Sequence, residues 1–327
     1  MKEFVFKNFL VNIRALFTTN IRKSINQNAA KVVAIEDTVE RLGGDLEKLK
    51  QGLYYLNVLD YYARHEEEAG TYAKELEYLR ENGSYRNFPY QEDCSIQDVV
   101  LGVDSESKLP YVVHHDKKLF FPSNYTEDVA AAIYLNYMKV EKLLGVGDTE
   151  GTPHQYQSPA IHVSEGDVVF DIGAAEGLFA LDQIEKASRV FVVESDAQWI
   201  TPLRKTFAPY GDKVTVIQKF ISTADTENTL SLKKLLSDVD FSSAFVKMDI
   251  EGYELPAIAS AMDVLKEKQG TKIAAAAYHR QHDAEELKTI FDKLGYQSEF
   301  SSGYMLFHQF DIPMPPYFRK GMIRAKR

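Results

Sequence analysis

Cysteine is almost missing from this sequence: Cys94 stands alone among 327 residues. An intramolecular disulfide and a cysteine-based zinc cluster are thereby excluded, and the chain fits a reducing compartment. Long apolar runs are missing too, and none approaches the roughly eighteen residues that a membrane span needs. Positive charge is in deficit, 38 Lys and Arg against 48 Asp and Glu, for a net charge of −10. The broadly basic surface of a general nucleic-acid binder is therefore not expected. What remains is an ordinary globular composition, 45% hydrophobic and 26% charged, enough for one full domain and a smaller one. The expected location is cytoplasmic.

The few basic residues gather at two places. Residues 1–24 carry Lys2, Lys7, Arg14, Arg22 and Lys23 against Glu3, and residues 311–327 carry Arg319, Lys320, Arg324, Lys326 and Arg327 against Asp311. Solvated ends are the plain explanation, a binding patch the sharper one. In residues 1–24, Phe6, Phe9, Leu10, Ile13, Leu16, Phe17 and Ile21 recur at helical spacing. This stripe either packs on protein or lies on an anionic membrane surface as a peripheral contact. Next, Val32, Ile35, Val39, Leu42, Leu46, Leu49, Leu53 and Leu56 step alternately by three and four, the a/d seam of a coiled coil. The seam predicts a homodimer through residues 32–56, with an intramolecular hairpin against residues 71–81 as the alternative. Residues 1–84 thus read as a helical, coiled-coil-like extension.

Residues 85–150 read as a small α+β lead-in on the acceptor side. Within them LPYVVHHDKKLFFP predicts two short strands with Asp116-Lys117 in the turn, and residues 126–144 predict a helix. His114 and His115, adjacent on a strand, are expected to face opposite ways at the surface. From residue 151 the pattern changes. Strand-like runs at 167–172, 189–193, 214–220, 243–249 and 272–277 alternate with helical stretches at 177–187, 197–208, 229–237 and 254–267. Such alternation predicts an α/β fold, a parallel Rossmann-like sheet with helices on both faces. A last pair, 296–300 and 303–308, is expected to close the sheet as an antiparallel hairpin across Ser301-Ser302-Gly303. Five parallel strands with an antiparallel end are the layout of the class I methyltransferases.

In such a sheet a ligand sits beyond the carboxyl ends of the strands. Asp171 and Gly173 close the first strand, and Gly177 ends the turn that follows. Glu194 closes the second strand and, 23 residues after Asp171, suits a pair of ribose hydroxyls. Ser222 follows the third strand, where an adenine would rest. Asp249 and Glu251 close the fourth in VKMDIEGYE, and Tyr278 and His279 the fifth. His154 and Tyr156, in the polar loop before the first strand, are candidates to line the acceptor side. The turn DIGAAEG has Ala175 where a dinucleotide fold needs its second glycine, and Glu176 would repel a pyrophosphate. A ligand with an ammonium and a sulfonium has the opposite preference, so these acids suit S-adenosyl-L-methionine better than NAD.

Asp171–Gly177, VVESDAQWI, VKMDIEGYE, YHR and PYFRKGMIRAK together resemble the FkbM-type methyltransferases over residues 151–327. The most specific piece is KxDxEGxE. Many members read DVGANxG, whereas Ala175 and Glu176 stand here. The resemblance implies a class I fold, S-adenosyl-L-methionine as donor, and transfer to a hydroxyl oxygen of a sugar in a glycan or of a secondary metabolite. Removing the hydroxyl proton calls for a base or a metal. His279 is the expected base and Asp249 its companion at the reacting centre. The other route is Mg²⁺ or Mn²⁺ held by Asp249 and Glu251 with Asp225 or His279. Two rival classes remain open: a nucleotide-dependent oxidoreductase or epimerase, and a non-catalytic coiled-coil assembly protein with a relict fold.

Overall fold

The computed structural model describes residues 42–83, 99–141, 151–307 and 314–327. The 1–24 stripe, the first half of the seam and Cys94 lie outside them. The chain divides into two units, one of residues 1–71 and 79–84, the other of residues 72–78 and 85–327. No helix among the described residues is long and apolar enough to cross a membrane.

In the first unit, helix α1 covers residues 42–64 and is followed by α2 (Glu66–Ala69). Val58 and Tyr62, four residues apart on α1, are buried. The seam residues Leu42, Leu46, Leu49, Leu53 and Leu56 fall elsewhere on the helix and are 54 to 66% exposed. Helix α3 (Ala73–Asn82) spans the division between the units.

The second unit opens with a three-stranded antiparallel sheet, β1 (Leu101–Val103), β2 (Pro110–His114) and β3 (Lys117–Phe120), followed by α4 (Glu127–Glu141). The β2–β3 turn is His115-Asp116, one residue earlier than the sequence implied, and both residues take positive φ (45° and 67°), as a two-residue hairpin turn requires. The surface reading holds for His115, which is exposed, and is corrected for His114. His114 is buried with Nδ1 3.0 Å from the Tyr134 hydroxyl, while both imidazoles approach Asp182 Oδ1, at 3.5 and 4.0 Å.

The main sheet has seven strands: β4 (Val168–Ile172), β5 (Arg189–Glu194), β6 (Val214–Gln218), β9 (Ala244–Met248), β10 (Thr271–Ala276), β11 (Gln297–Phe300) and β14 (Met322–Lys326). Two short pairs lie outside it, β7 (Phe220–Ser222) with β8 (Thr229–Ser231) and β12 (Met305–Leu306) with β13 (Phe318–Arg319). The spatial order is β6-β5-β4-β9-β10-β14-β11, parallel up to β10, with β14 antiparallel to both its neighbours. That is the class I methyltransferase arrangement. Helices α5 (Leu178–Gln183), α6 (Ala197–Phe207), α7 (Leu232–Ser237), α8 (Glu254–Ser260), α9 (Met262–Glu267) and α10 (Asp283–Leu294) accompany the strands. Because both faces are covered, β4 and β9 are buried along their whole length, and their sequences are apolar apart from Asp171 and Lys247, which pair with each other.

The antiparallel end of the sheet is present, but its pairing differs from the expected hairpin. β11 pairs with β14, not with residues 303–308. Ser301 is no exposed turn residue. Its buried hydroxyl donates to the Pro153 carbonyl (2.6 Å) and accepts from the Met322 N–H (2.9 Å). The third strand also stops early, at Gln218, and Phe220–Ser222 turns away to pair with β8.

Candidate active site

The site is built where β4 and β9 end side by side. Gly173 takes φ 71°, and a Cβ there would run into the Asp249 carbonyl oxygen, so the two strand ends pack backbone to backbone. Beneath this contact Lys247 pairs with Asp171 (3.0 Å) and donates to the Gly173 carbonyl (2.6 Å). Asp171 is 0% exposed, and its second oxygen accepts the Ala180 N–H (3.1 Å) in the first turn of α5. Gly177, the N-cap residue, has no side chain to do this. The expectation that Asp171 contacts a cofactor is corrected here: its carboxylate is spent under the turn. Gly177 packs toward Leu203 and Phe207, and neither it nor Ser222 lines the cavities described next.

Two adjoining cavities open above the strand ends. One, of about 420 Å³, is walled by Gly173, Glu194, Asp196, Trp199, Phe220 and Ile221 among others. The other, of about 270 Å³, is walled by His154, Tyr156, Glu176, Lys247, Tyr278 and His279. Tyr137, Gly173, Ala175, Asp249 and Glu251 belong to both walls. In the larger cavity Glu194 accepts the Ala175 N–H through Oε2 and the Asp196 N–H through Oε1, each at 2.8 Å. A carboxylate has about four acceptor positions, so one on each oxygen is left for a pair of ligand hydroxyls. Beyond the end of the third strand, Lys219, Phe220 and Ile221 line this cavity and Ser222 does not. Trp199 packs T-shaped against Phe121 and Tyr125 and lines this cavity.

The smaller cavity holds an acid–imidazole–phenol cluster. His154 Nε2 stands 3.0 Å from Asp249 Oδ2 and 3.1 Å from the Tyr278 hydroxyl, and Tyr156 donates to Asp249 Oδ2 at 3.0 Å. His279 Nε2 lies 3.5 Å from Asp249 Oδ1, and its Nδ1 lies 3.1 Å from Glu254 Oε1. Burial opposes charge on Asp249, but the hydrogen bond and charge of His154, with His279 and Lys247, hold its carboxyl well below the usual range. Burial likewise opposes charge on His279, yet Glu254 and Asp249 raise its pKa. The expected base, His279, thus stands in the wall of the smaller cavity, 3% exposed, with a carboxylate near each ring nitrogen.

Of the residues expected to hold a metal, Asp249 and His279 come together and Asp225 does not join them. Asp225 accepts the Ser231 N–H and hydroxyl away from the cluster, and Glu251 is exposed at φ 55°. The acid that approaches His279 with Asp249 is Glu254, and one ligand atom from each of the three lies within 4.8 Å of the others. Glu176 sits in the smaller cavity's wall, where burial pushes its carboxyl up to about 7, Lys247 pulling the other way.

KxDxEGxE thereby acquires a physical account. Lys247 ties β9 to the turn, Asp249 faces both cavities, Glu251 and Gly252 (φ 89°) reverse the chain, and Glu254 closes the loop by accepting the Ile250 N–H (2.6 Å). Sequence reasoning missed Lys247, Tyr137 and Arg319. Lysine in an apolar strand was a signal for the first; the other two had none.

No protein-family model and no curated protein sequence matches the chain. Among solved structures it is similar to a methyltransferase FkbM from Methylobacillus flagellatus KT, at 22% identity and a TM-score of 0.41 over 63% of this chain. The match spans 56% of that protein's length. It is also similar to a precorrin-6y C5,15-methyltransferase from Geobacter metallireducens GS-15 (18% identity, 51% of this chain, 83% of that one, TM-score 0.35). A third is Trm5b from Pyrococcus abyssi (14% identity, 70% and 62%, TM-score 0.34). Likenesses this distant agree with the fold already read from the strand order and say nothing of what this chain acts on.

Proposed function

We propose that the protein transfers a methyl group from S-adenosyl-L-methionine to a hydroxyl oxygen of a sugar in a glycan or of a secondary metabolite. The observation that carries this reading is the shared wall: Asp249 belongs at once to the Glu194 cavity and to the His154–Tyr156–Tyr278–His279 cluster. The larger cavity fits the donor's adenosyl part. Glu194 keeps acceptor positions for ribose hydroxyls, Phe220 and Ile221 offer apolar surface, and Glu176 is an acid a cation would ionise. When bound, the donor supplies a methyl group already activated by its sulfonium. This chain's own residues then align the acceptor and relieve it of a proton. Asp249, kept ionised, accepts the acceptor's hydroxyl hydrogen bond. The proton passes by way of Asp249 to a ring nitrogen of a neutral imidazole beside it, His154 at 3.0 Å or His279 at 3.5 Å, while Tyr156 and Tyr278 hold the carboxylate in place.

Calorimetry with S-adenosyl-L-methionine tests the first half: binding by the intact protein, and its loss in Glu194→Ala. Absence of binding at millimolar ligand overturns the reading. Transfer of labelled methyl to a panel of hydroxylated acceptors tests the second. There His154→Ala is expected to lower kcat at least a hundredfold with cofactor affinity kept, on the scale of general base catalysis.

A further inference from the structure

We infer that residues 42–56 pair with a second copy of this chain as a parallel, in-register two-stranded coiled coil. The described helix α1 presents Leu42, Leu49 and Leu56 at d positions and Leu46 and Leu53 at a positions, and all five are more than half exposed. Five leucines on one stripe of one helix form a seam that water does not stabilise. The helix's own packing does not cover them, because Val58 and Tyr62 use a different face. Gly43, Gly44 and Gly52 each weaken the isolated helix by about 1 kcal/mol relative to alanine, so its continuous run over this stretch calls for a partner.

Charge selects the partner and its direction. In a parallel pair the residue before an a position reaches, five residues on, the residue after the next d position of the other helix. Asp45 then meets Lys50 of the second copy, and the two-fold repeats the contact. Two heptads earlier the sequence sets Lys31 against Glu36 in the same relation, while Thr38 meets Gly43 and Gly52 meets Asn57. No like charges oppose. In an antiparallel pair overlapping over the whole seam, residues 32–56, the two Asp45 residues would face each other. Gly43 and Gly52, with nothing near their Cα hydrogens, leave the flanks of the seam open for close approach. Val39 at a with Leu42 at d favours two strands over three.

Sedimentation equilibrium of the intact chain reads the outcome, with twice the chain mass expected. Leu46→Asp with Leu49→Asp should give the single-chain mass while keeping the melting transition, because both leucines are exposed. Direction is read separately: Leu49→Cys in a Cys94→Ser background should cross-link to its own counterpart under mild oxidation, since residue 49 faces residue 49 only in the parallel register. An intact chain that sediments as a monomer, a dimer indifferent to the aspartates, or a dimer that does not cross-link at residue 49 overturns the proposal.

Discussion

A buried carboxylic acid beside a cation site changes its proton count when the cation arrives. Glu176 is held near pH 7 by burial, with Asp171 raising it further and Lys247 opposing. In the proposed site an ammonium or sulfonium would stabilise the ionised form, so binding releases a proton wherever Glu176 is protonated beforehand. Linkage fixes the sign: affinity for S-adenosyl-L-methionine should be flat above about pH 8 and fall below about pH 7 by up to tenfold per unit. Titration calorimetry in buffers of different ionisation enthalpy measures the released proton directly. Glu176→Gln should bind more weakly and lose the slope; a slope that survives the substitution rules Glu176 out as its source. The sequence singled this residue out in the turn after β4 without deciding its role. Its pKa depends on burial and on Lys247, far away in the chain, and no local spacing encodes that.

The element that decides the site's precision is β13, two residues long. Arg319 on it is buried, and its guanidinium donates to the Tyr278 and His279 carbonyls (3.0 Å each) and to Gln281 Oε1 (3.1 Å). It fastens the end of β10, where both cluster residues leave the sheet. Arg319→Ala would leave two buried carbonyls without their donor, a loss of about 3 kcal/mol. Urea unfolding should show that loss, and kcat should fall with cofactor affinity unchanged, because the Glu194 cavity lies at other strand ends. Equal damage to both parameters would mean that Arg319 acts on the fold alone. The parallel strands and the acids at their ends were legible because apolar runs and strand-end chemistry are local. The pairing of β11 was not. Ser301-Ser302-Gly303 has the composition of a tight turn, and only the bonds from Ser301 to Pro153 and Met322 reveal a crossing point.

On the scale of the whole molecule, basic residues of 311–327 tie β14 and β13 to the segments around them. Arg319 clamps β10; Arg324 donates to the Gln157 carbonyl (2.8 Å) and pairs with Glu299 (3.2 Å); Lys326 reaches the Ala160 carbonyl (3.1 Å) and Arg327 the Lys266 carbonyl (2.9 Å). Gly321 completes the tie, since any Cβ there would strike the Pro153 carbonyl. The loop that carries His154 and Tyr156 is thus fixed by the strand that is last in the sheet by sequence and interior to it in space. Met322, Ile323 and Ala325 on β14 are fully buried, and the strand hydrogen-bonds to β10 on one side and β11 on the other. Removing residues 320–327 would detach β11, bare an apolar strand edge on β10 and release residues 153–160 together. Such a truncated chain should lose its cooperative thermal transition, not merely shift it, and S-adenosyl-L-methionine should fail to restore it. A cooperative transition within a few degrees of the intact protein would show that β14 is dispensable and that the site loop is held by something else.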